Sequence, residues 1–163
     1  MSVTDELLEN AKGYAAGFDK GDLPLPPGKR VAVLACMDAR LNPYGVLGLS
    51  EGEAHVIRNA GGVVSGDAIR SLAISQNLLG TEEIILIHLT DCGMLTFTDD
   101  ELAEKLEQET GERPDWRAHS FSDVEEDVRE GIERIKASPF IPREESVRGF
   151  VYDVKTGELR EVS

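Results

Sequence analysis

The stretch Arg30–Ala35 reads RVAVLA, a short and continuous apolar run. Such a run is typical of a strand that is buried on both faces of a parallel sheet. Two similar runs follow at Ala54–Ile57 and Ile84–Leu89. Between them, Asp67–Leu79 places its apolar side chains near one face of a helix, and the next residue, Gly80, commonly ends helices. This strand, helix, strand order predicts an α/β domain with a central, mostly parallel sheet flanked by helices.

An N-terminal arm precedes this core. Residues 4–17 open with plausible helix-capping residues and predict a helix. The segment Leu23–Gly28 reads LPLPPG and cannot continue it, because proline lacks the amide hydrogen and restricts the residue before it. Residues 1–28 are therefore expected to form a helical arm with a stiff linker, which packs either on a partner subunit or on its own domain.

The second half of the chain completes the same domain. Asp99–Thr110 and Asp123–Ala137 predict surface helices, the second with an apolar stripe. Phe150–Val154 and Leu159–Val162 flank a turn-forming segment and predict a hairpin. At 163 residues the whole chain, 1–163, is expected to be a single domain.

The amino-acid composition disfavours some classes of binding partner. The chain has 17 Lys and Arg against 31 Asp and Glu, a formal net charge of −14. Nucleic acid and anionic membranes are poor partners for such a chain, and the plain interpretation of its charge is solubility. No apolar run approaches the roughly 20 residues of a membrane span, and the acidic start does not resemble an export signal, so a cytoplasmic protein is expected. Only two cysteines occur, which suits a reducing compartment where thiols bind metal or catalyse.

Both cysteines lie at or just beyond the carboxyl ends of predicted strands, where open α/β sheets bind ligands. Cys36 and Cys92 could hold a zinc ion there, or could simply be buried and inert. Asp38 and Arg40 alternate with Cys36, so one side of an extended segment can present thiolate, carboxylate and guanidinium together. Such a carboxylate can bind zinc or accept a hydrogen bond from water, and an arginine fork can hold it off the metal. The alternative for Asp38 and Arg40 is a local structural ion pair.

Taken together, these residues resemble the metal signature of the β-carbonic anhydrases, in particular small bacterial members. That signature is C-x-D-x-R followed far downstream by H-x-x-C-G. Its first half matches Cys36, Asp38 and Arg40, and the end of its second half matches Cys92 and Gly93. The segment Arg58–Gly62, RNAGG, is also typical of the family.

The resemblance implies an enzyme that interconverts carbon dioxide and bicarbonate with the help of Zn²⁺. It implies Cys36 and Cys92 as zinc ligands, and Asp38 either as a third ligand or as the group that orients the attacking water. Arg40 would be the partner of Asp38, and Arg58 would belong to the scaffold around the site. The resemblance also implies a homodimer.

One position departs from the signature. The histidine of H-x-x-C would stand at position 89, where this chain has Leu89. His88 is adjacent, but successive side chains of a strand face opposite ways, so His88 is expected to point away from the metal. Three outcomes stay open: zinc held by Cys36, Cys92 and Asp38 with water as the fourth ligand, zinc rescued by His88, or little zinc at all. Reduced activity is expected in the first case.

The departure also leaves other functions open. One is a catalytically silent family member that acts as a binding or structural protein. Another is hydrolysis of carbonyl sulfide or carbon disulfide at the same centre.

Overall fold

The computed structural model describes the whole chain, Met1–Ser163. It contains five α-helices, five strands and two short 3₁₀ turns. The helices are α1 Val3–Ala16, α2 Pro43–Leu47, α3 Gly66–Leu79, α4 Asp99–Thr110 and α5 Val124–Ala137. The strands are β1 Val31–Cys36, β2 Ala54–Asn59, β3 Glu83–Leu89, β4 Val147–Tyr152 and β5 Leu159–Val162, and the 3₁₀ turns are Ala60–Gly62 and Gly93–Leu95.

The strands form one sheet in the order β2-β1-β3-β4-β5. The first four strands are parallel and β5 is antiparallel to β4. All six residues of β1 are buried, as expected of a strand with neighbours on both edges and layers on both faces. The predicted α/β fold with a mostly parallel sheet is confirmed.

Side-chain alternation divides the core between the two faces of the sheet. On one face, Leu34 and Leu86 pack with Leu72 of α3 and Ile135 of α5. The opposite face carries a cluster that includes both cysteines. Its buried members are Val33, Ala35, Cys36, Leu41, Ile87, Leu89, Cys92 and Met94. The cysteines therefore lie on the face that α3 and α5 do not cover.

The structure adds one helix that the sequence analysis did not predict. The short helix α2 begins after Asn42, whose side chain accepts a hydrogen bond from the Gly45 amide, and it ends at Gly48 in a left-handed conformation with φ +63°. Pro43 at its start has the fixed φ that a first helical turn requires. The predicted hairpin is confirmed, but β4 begins three residues earlier than predicted, at Val147, because it also pairs with β3.

The N-terminal arm is helical, as predicted, and α1 buries none of its residues. Two polar contacts reach Glu51 from this arm, from the Tyr14 hydroxyl at 3.2 Å and from the Lys20 ammonium at 3.0 Å. The apolar side chains of Leu7, Leu8 and Phe18 remain exposed. The arm thus presents an apolar surface that its own domain does not cover. None of the helices is both long and apolar enough to span a membrane.

Candidate active site

The two cysteines meet at the carboxyl end of the sheet. Cys36 is the last residue of β1, and Cys92 follows β3 by three residues. Each is buried, with 3% of its surface exposed, and neither is in a disulfide. Both belong to the same buried cluster and each changes the acidity of the other, which makes them near neighbours in space. The predicted convergence of two strand-end thiols is therefore present in the structure.

This contact makes the two thiols unequal as acids. The hydrogen bond with Cys92, helped by the backbone amides of Asp38 and Gly61, lowers the pKa of Cys36, although burial and the nearby Asp38 charge oppose the effect. The same hydrogen bond and burial raise the pKa of Cys92. The pair therefore holds one negative charge more readily on Cys36, with Cys92 as its donor.

Asp38 and Arg40 form a two-pronged ion pair beside the thiols. Arg40 Nε donates to Asp38 Oδ1 at 3.0 Å, and Arg40 Nη2 donates to Asp38 Oδ2 at 2.8 Å. The Arg40 amide also donates to Oδ1, at 2.9 Å. These hydrogen bonds lower the pKa of Asp38 to about 2, so the carboxylate is ionised at neutral pH. The predicted arginine fork is present, and it occupies both carboxylate oxygens.

Asp91 is a site residue to which the sequence analysis assigned no role. Arg40 Nη1 donates to Asp91 Oδ2 at 3.0 Å, and Arg40 Nη2 donates to the Asp91 carbonyl at 3.0 Å. Asp91 has φ +53°, a left-handed conformation that is uncommon outside glycine. The only sequence signal was its place next to Cys92. Through Arg40, Asp91 ties the Asp38 loop to the Cys92 loop.

Arg58 holds the loop that carries Asp38. Its guanidinium donates to the carbonyls of Cys36 at 2.8 Å, Asp38 at 2.9 Å and Leu41 at 2.8 Å. Three carbonyls that follow β1 are thus satisfied by one side chain, which fixes the path of the segment that carries Asp38. The geometry agrees with the scaffold role that the resemblance implied for Arg58.

Gly62 allows the two strand ends to approach. It adopts φ +67°, and a Cβ atom there would lie 2.9 Å from the Cys36 amide nitrogen and 2.9 Å from the Ile87 carbonyl oxygen. Real Cβ atoms do not come so close to backbone atoms, so a side chain at this position would push β1 and β3 apart. The close packing of this segment on the backbone of β1 and β3 therefore requires glycine at position 62.

Leu89 and His88 lie on opposite faces of β3, as strand alternation predicts. Leu89 is fully buried in the same apolar cluster as the two cysteines. His88 Nε2 lies 2.6 Å from Asp127 Oδ2 of α5, and the imidazole packs on Phe121 with ring centroids 5.4 Å apart. His88 is therefore engaged away from the thiols.

The other two histidines are also elsewhere. His55 Nδ1 lies 2.7 Å from the Ser75 hydroxyl, on the side of the sheet covered by α3. His119 lines a cavity formed with α5, together with Ser120, Asp127 and Arg134. No histidine of this chain lies at the two thiols.

Zinc is the metal that the resemblance implies, so the side chains at this site can be compared with the ligands that zinc usually binds. Two buried thiols that lie close together suit zinc, which binds cysteine sulfur in many protein sites. No group of three His, Cys, Asp or Glu side chains is gathered in a way that could hold a metal. Asp38 is close to the thiols, but its oxygens face Arg40. As it stands, the site offers zinc two sulfur ligands and no third side chain that is free of other partners.

Comparisons with known proteins identify the same family that the sequence motif indicates. The family model described as carbonic anhydrase matches residues 31–159. The chain is 60% identical over 163 residues to Beta-carbonic anhydrase 1 of Mycobacterium tuberculosis, covering 100% of this chain and 99% of that protein. A carbon disulfide hydrolase of Acidithiobacillus thiooxidans is 32% identical, over 98% of this chain and 90% of that protein.

A solved structure gives the same result for the fold. The crystal structure of carbonic anhydrase from Streptococcus mutans superposes with a TM-score of 0.93 at 45% identity, covering 100% of this chain and 99% of that chain. The family match extends over most of the sequence, and the structural match extends over all of it. The chain therefore belongs to the β-carbonic anhydrase family and is of the carbonic anhydrase enzyme type.

Proposed function

We propose that this protein interconverts carbon dioxide and bicarbonate at the centre formed by Cys36, Cys92, Asp38 and Arg40, with a lower rate than the full family signature would give. The observation that carries the proposal is the meeting of two buried thiols beside a carboxylate that an arginine holds ionised. Family membership supports the reaction type, and the single departure at Leu89 supports the reduced rate.

Cys36, Cys92 and Asp38 would hold Zn²⁺ in this proposal. Zinc bound there would supply a Lewis acid that makes water a better nucleophile near neutral pH. Cys36, the more acidic thiol of the pair, would be the first of the two sulfur ligands to lose its proton, and Cys92 would be the second. Leu89 adds no ligand, so Asp38 must provide the third.

This arrangement gives Asp38 two incompatible tasks. Paired with Arg40, its carboxylate accepts hydrogen bonds and can orient a water molecule toward carbon dioxide. As a metal ligand it would leave Arg40, and an anionic oxygen in place of a neutral imidazole would make the metal a weaker acid. Arg40 keeps its second partner, Asp91, whichever task Asp38 performs. The competition for Asp38 is the physical reason for a lower rate.

The N-terminal arm supports the proposed homodimer. The helix α1 leaves Leu7 and Leu8 exposed, and these side chains can bury their surface on a second copy. The buried free thiols suit a reducing compartment, which supports a cytoplasmic location.

The test combines zinc content and carbon dioxide hydration on the same sample. Protein purified without chelator is assayed for zinc by mass spectrometry and for hydration by stopped-flow with a pH indicator. We expect zinc in the parent and a loss of both zinc and hydration in Cys36→Ser. His88→Ala is the matched control and should retain both. Unchanged zinc stoichiometry in Cys36→Ser would remove the thiols from the metal site and overturn the proposal.

Two alternatives have their own support. Leu89 favours a catalytically silent member, which would be established if zinc-loaded parent protein shows no hydration above the uncatalysed rate. The carbon disulfide hydrolases at 32% to 35% identity favour hydrolysis of carbon disulfide at the same centre. Release of hydrogen sulfide from carbon disulfide, compared between parent and Cys36→Ser, separates that activity from hydration of carbon dioxide.

A further inference from the structure

Asp91 binds Arg40 through two of its groups. Its carboxylate oxygen Oδ2 accepts a hydrogen bond from Arg40 Nη1 at 3.0 Å, and its carbonyl accepts one from Arg40 Nη2 at 3.0 Å. Two hydrogen bonds to neighbouring nitrogens of one guanidinium fix both its position and its plane. Asp38 binds the other edge of the same group, through Nε and Nη2. Arg40 is therefore held from two sides by residues of two different loops.

The loop that carries Asp91 has its own attachment to the sheet. The amide of the preceding residue, Thr90, donates to the Tyr152 carbonyl at the end of β4, at 2.9 Å. The Thr90 hydroxyl accepts a hydrogen bond from the Val154 amide at 3.1 Å. These contacts tie the loop to β4 and to the segment that follows it, and none of them involves Asp38.

We infer that Asp91 is a positioning residue, which keeps the Arg40 guanidinium at the site when the Asp38 carboxylate turns away from it. The inference rests on the proposed function, in which Asp38 leaves Arg40 to become the third metal ligand. Asp38 and Asp91 are the two carboxylates that pair with Arg40. Without Asp91, the departure of Asp38 would leave the guanidinium with no ionic partner. With Asp91, Arg40 keeps one ion pair, and Asp38 can return to the same place.

The exposure of this ion pair limits the size of the effect. The Asp91 side chain is 76% exposed and that of Arg40 is 47% exposed, so water and dissolved ions screen their attraction. Removing the Asp91 charge makes it harder for Asp38 to leave Arg40, and zinc binding should therefore weaken. We expect a loss of about threefold at low ionic strength and a smaller loss at high ionic strength.

The first experiment follows Arg40 in reduced, metal-free, full-length protein by NMR of ¹⁵N-labelled arginine side chains. A guanidinium held by charged hydrogen bonds rotates slowly and gives separate Nη signals, whereas a free guanidinium gives averaged ones. Asp38→Ala imitates the departure of the carboxylate without any metal. We expect the separate Arg40 signals to persist in Asp38→Ala and to merge when Asp91→Gly is added. Glycine suits the left-handed backbone at position 91, so this second substitution removes the carboxylate without backbone strain.

The second experiment measures zinc affinity by chelator competition in a double-mutant cycle. Asp91→Asn, which keeps the size of the side chain, should weaken zinc binding about threefold in the parent and not at all in an Arg40→Gln background. A direct effect of the Asp91 charge on the metal would instead be equal in both backgrounds. Asp67→Asn is the matched control, because Asp67 is 74% exposed and pairs with Arg70 of the same helix. It should change neither the Arg40 signals nor zinc affinity.

The two experiments separate this inference from the proposed function. Merged Arg40 signals in Asp38→Ala alone, or equal weakening of zinc binding by Asp91→Asn in both backgrounds, would overturn the inference. If Asp38→Ala leaves zinc affinity unchanged while its Arg40 signals stay separate, the proposed ligand set is rejected and the anchoring of Arg40 by Asp91 stands.

Discussion

A histidine at position 89 should change the stability of the protein in opposite directions without zinc and with zinc. Leu89→His places an imidazole in a fully buried position beside both thiols. Without metal, the variant loses apolar packing and buries a polar ring with no partner. Losing buried apolar atoms costs about 2–5 kcal/mol, and an unpaired polar group about 1–3 kcal/mol. Since the imidazole refills much of the space, we expect the free energy of unfolding to fall by about 3 kcal/mol.

Zinc should reverse this loss. Structural zinc sites with four protein ligands bind with about 10–16 kcal/mol, or about 3 kcal/mol for each ligand. One added ligand should therefore raise zinc affinity about 100-fold, since every 1.4 kcal/mol is about tenfold. For a chain of this size a change of 1 kcal/mol shifts the melting temperature by about 2–4 °C. We expect metal-free Leu89→His to melt about 10 °C below the parent and to recover most of that difference with zinc.

The assay is thermal melting with and without zinc, joined to a chelator competition for affinity. Leu86→His is the matched control, because Leu86 is equally buried in the same strand but faces α5 and α3. It should lose stability to a similar degree and gain nothing from zinc. If Leu89→His melts lower and zinc neither binds more tightly nor restores it, position 89 is not a corner of the metal site. Equal recovery of Leu86→His by zinc would refute the argument as well.

Three further outcomes follow from the same geometry. His88→Ala should lower the free energy of unfolding by about 2 kcal/mol, because it breaks the buried contact with Asp127, and it should leave the zinc content unchanged. A loss of zinc in this variant would show that His88 is a metal ligand. Metal-free protein in air should lose two titratable thiols, restored by reductant, because Cys36 and Cys92 already contact each other; two persistent free thiols would contradict that contact. Gly62→Ala should destabilise the fold by at least about 1 kcal/mol, and an unchanged urea midpoint would show that β1 and β3 tolerate the added atom.

The sequence predicted the parts of this site that depend on local periodicity. The apolar run at Arg30–Ala35 identified β1, and its carboxyl end placed Cys36 at the ligand-binding edge of the sheet. Strand alternation correctly put Leu89 on the thiol face and His88 behind it. These inferences succeeded because side chains alternate between the two faces of a strand regardless of the elements packed against it.

The contacts made across loops were not accessible in the same way. Asp91, whose backbone is left-handed, contacts Arg40 from another loop, and Arg58 binds three carbonyls that belong to a different segment of the chain. Neither contact follows from spacing or hydrophobicity. The helix α2 was missed for a related reason, since Pro43–Leu47 is too short to show a helical period.

Because Leu89 supplies no ligand, its position on β3 also determines which other residue could become the third metal ligand. A third ligand must come from a residue that faces the thiols, and on β3 only alternate positions do so. His88 would have to leave Asp127 and turn to the other face of the sheet, which would break its hydrogen-bonding contact with Asp127 and its packing on Phe121. Asp38 needs only to rotate from Arg40, and Arg40 can stay bound to Asp91 when it does. In the proposed site the carboxylate is therefore the third ligand that needs the smaller rearrangement, and zinc binding should respond more strongly to Asp38→Asn than to His88→Ala. The opposite order, measured by chelator competition on both variants, would show that the strand rearranges around the metal.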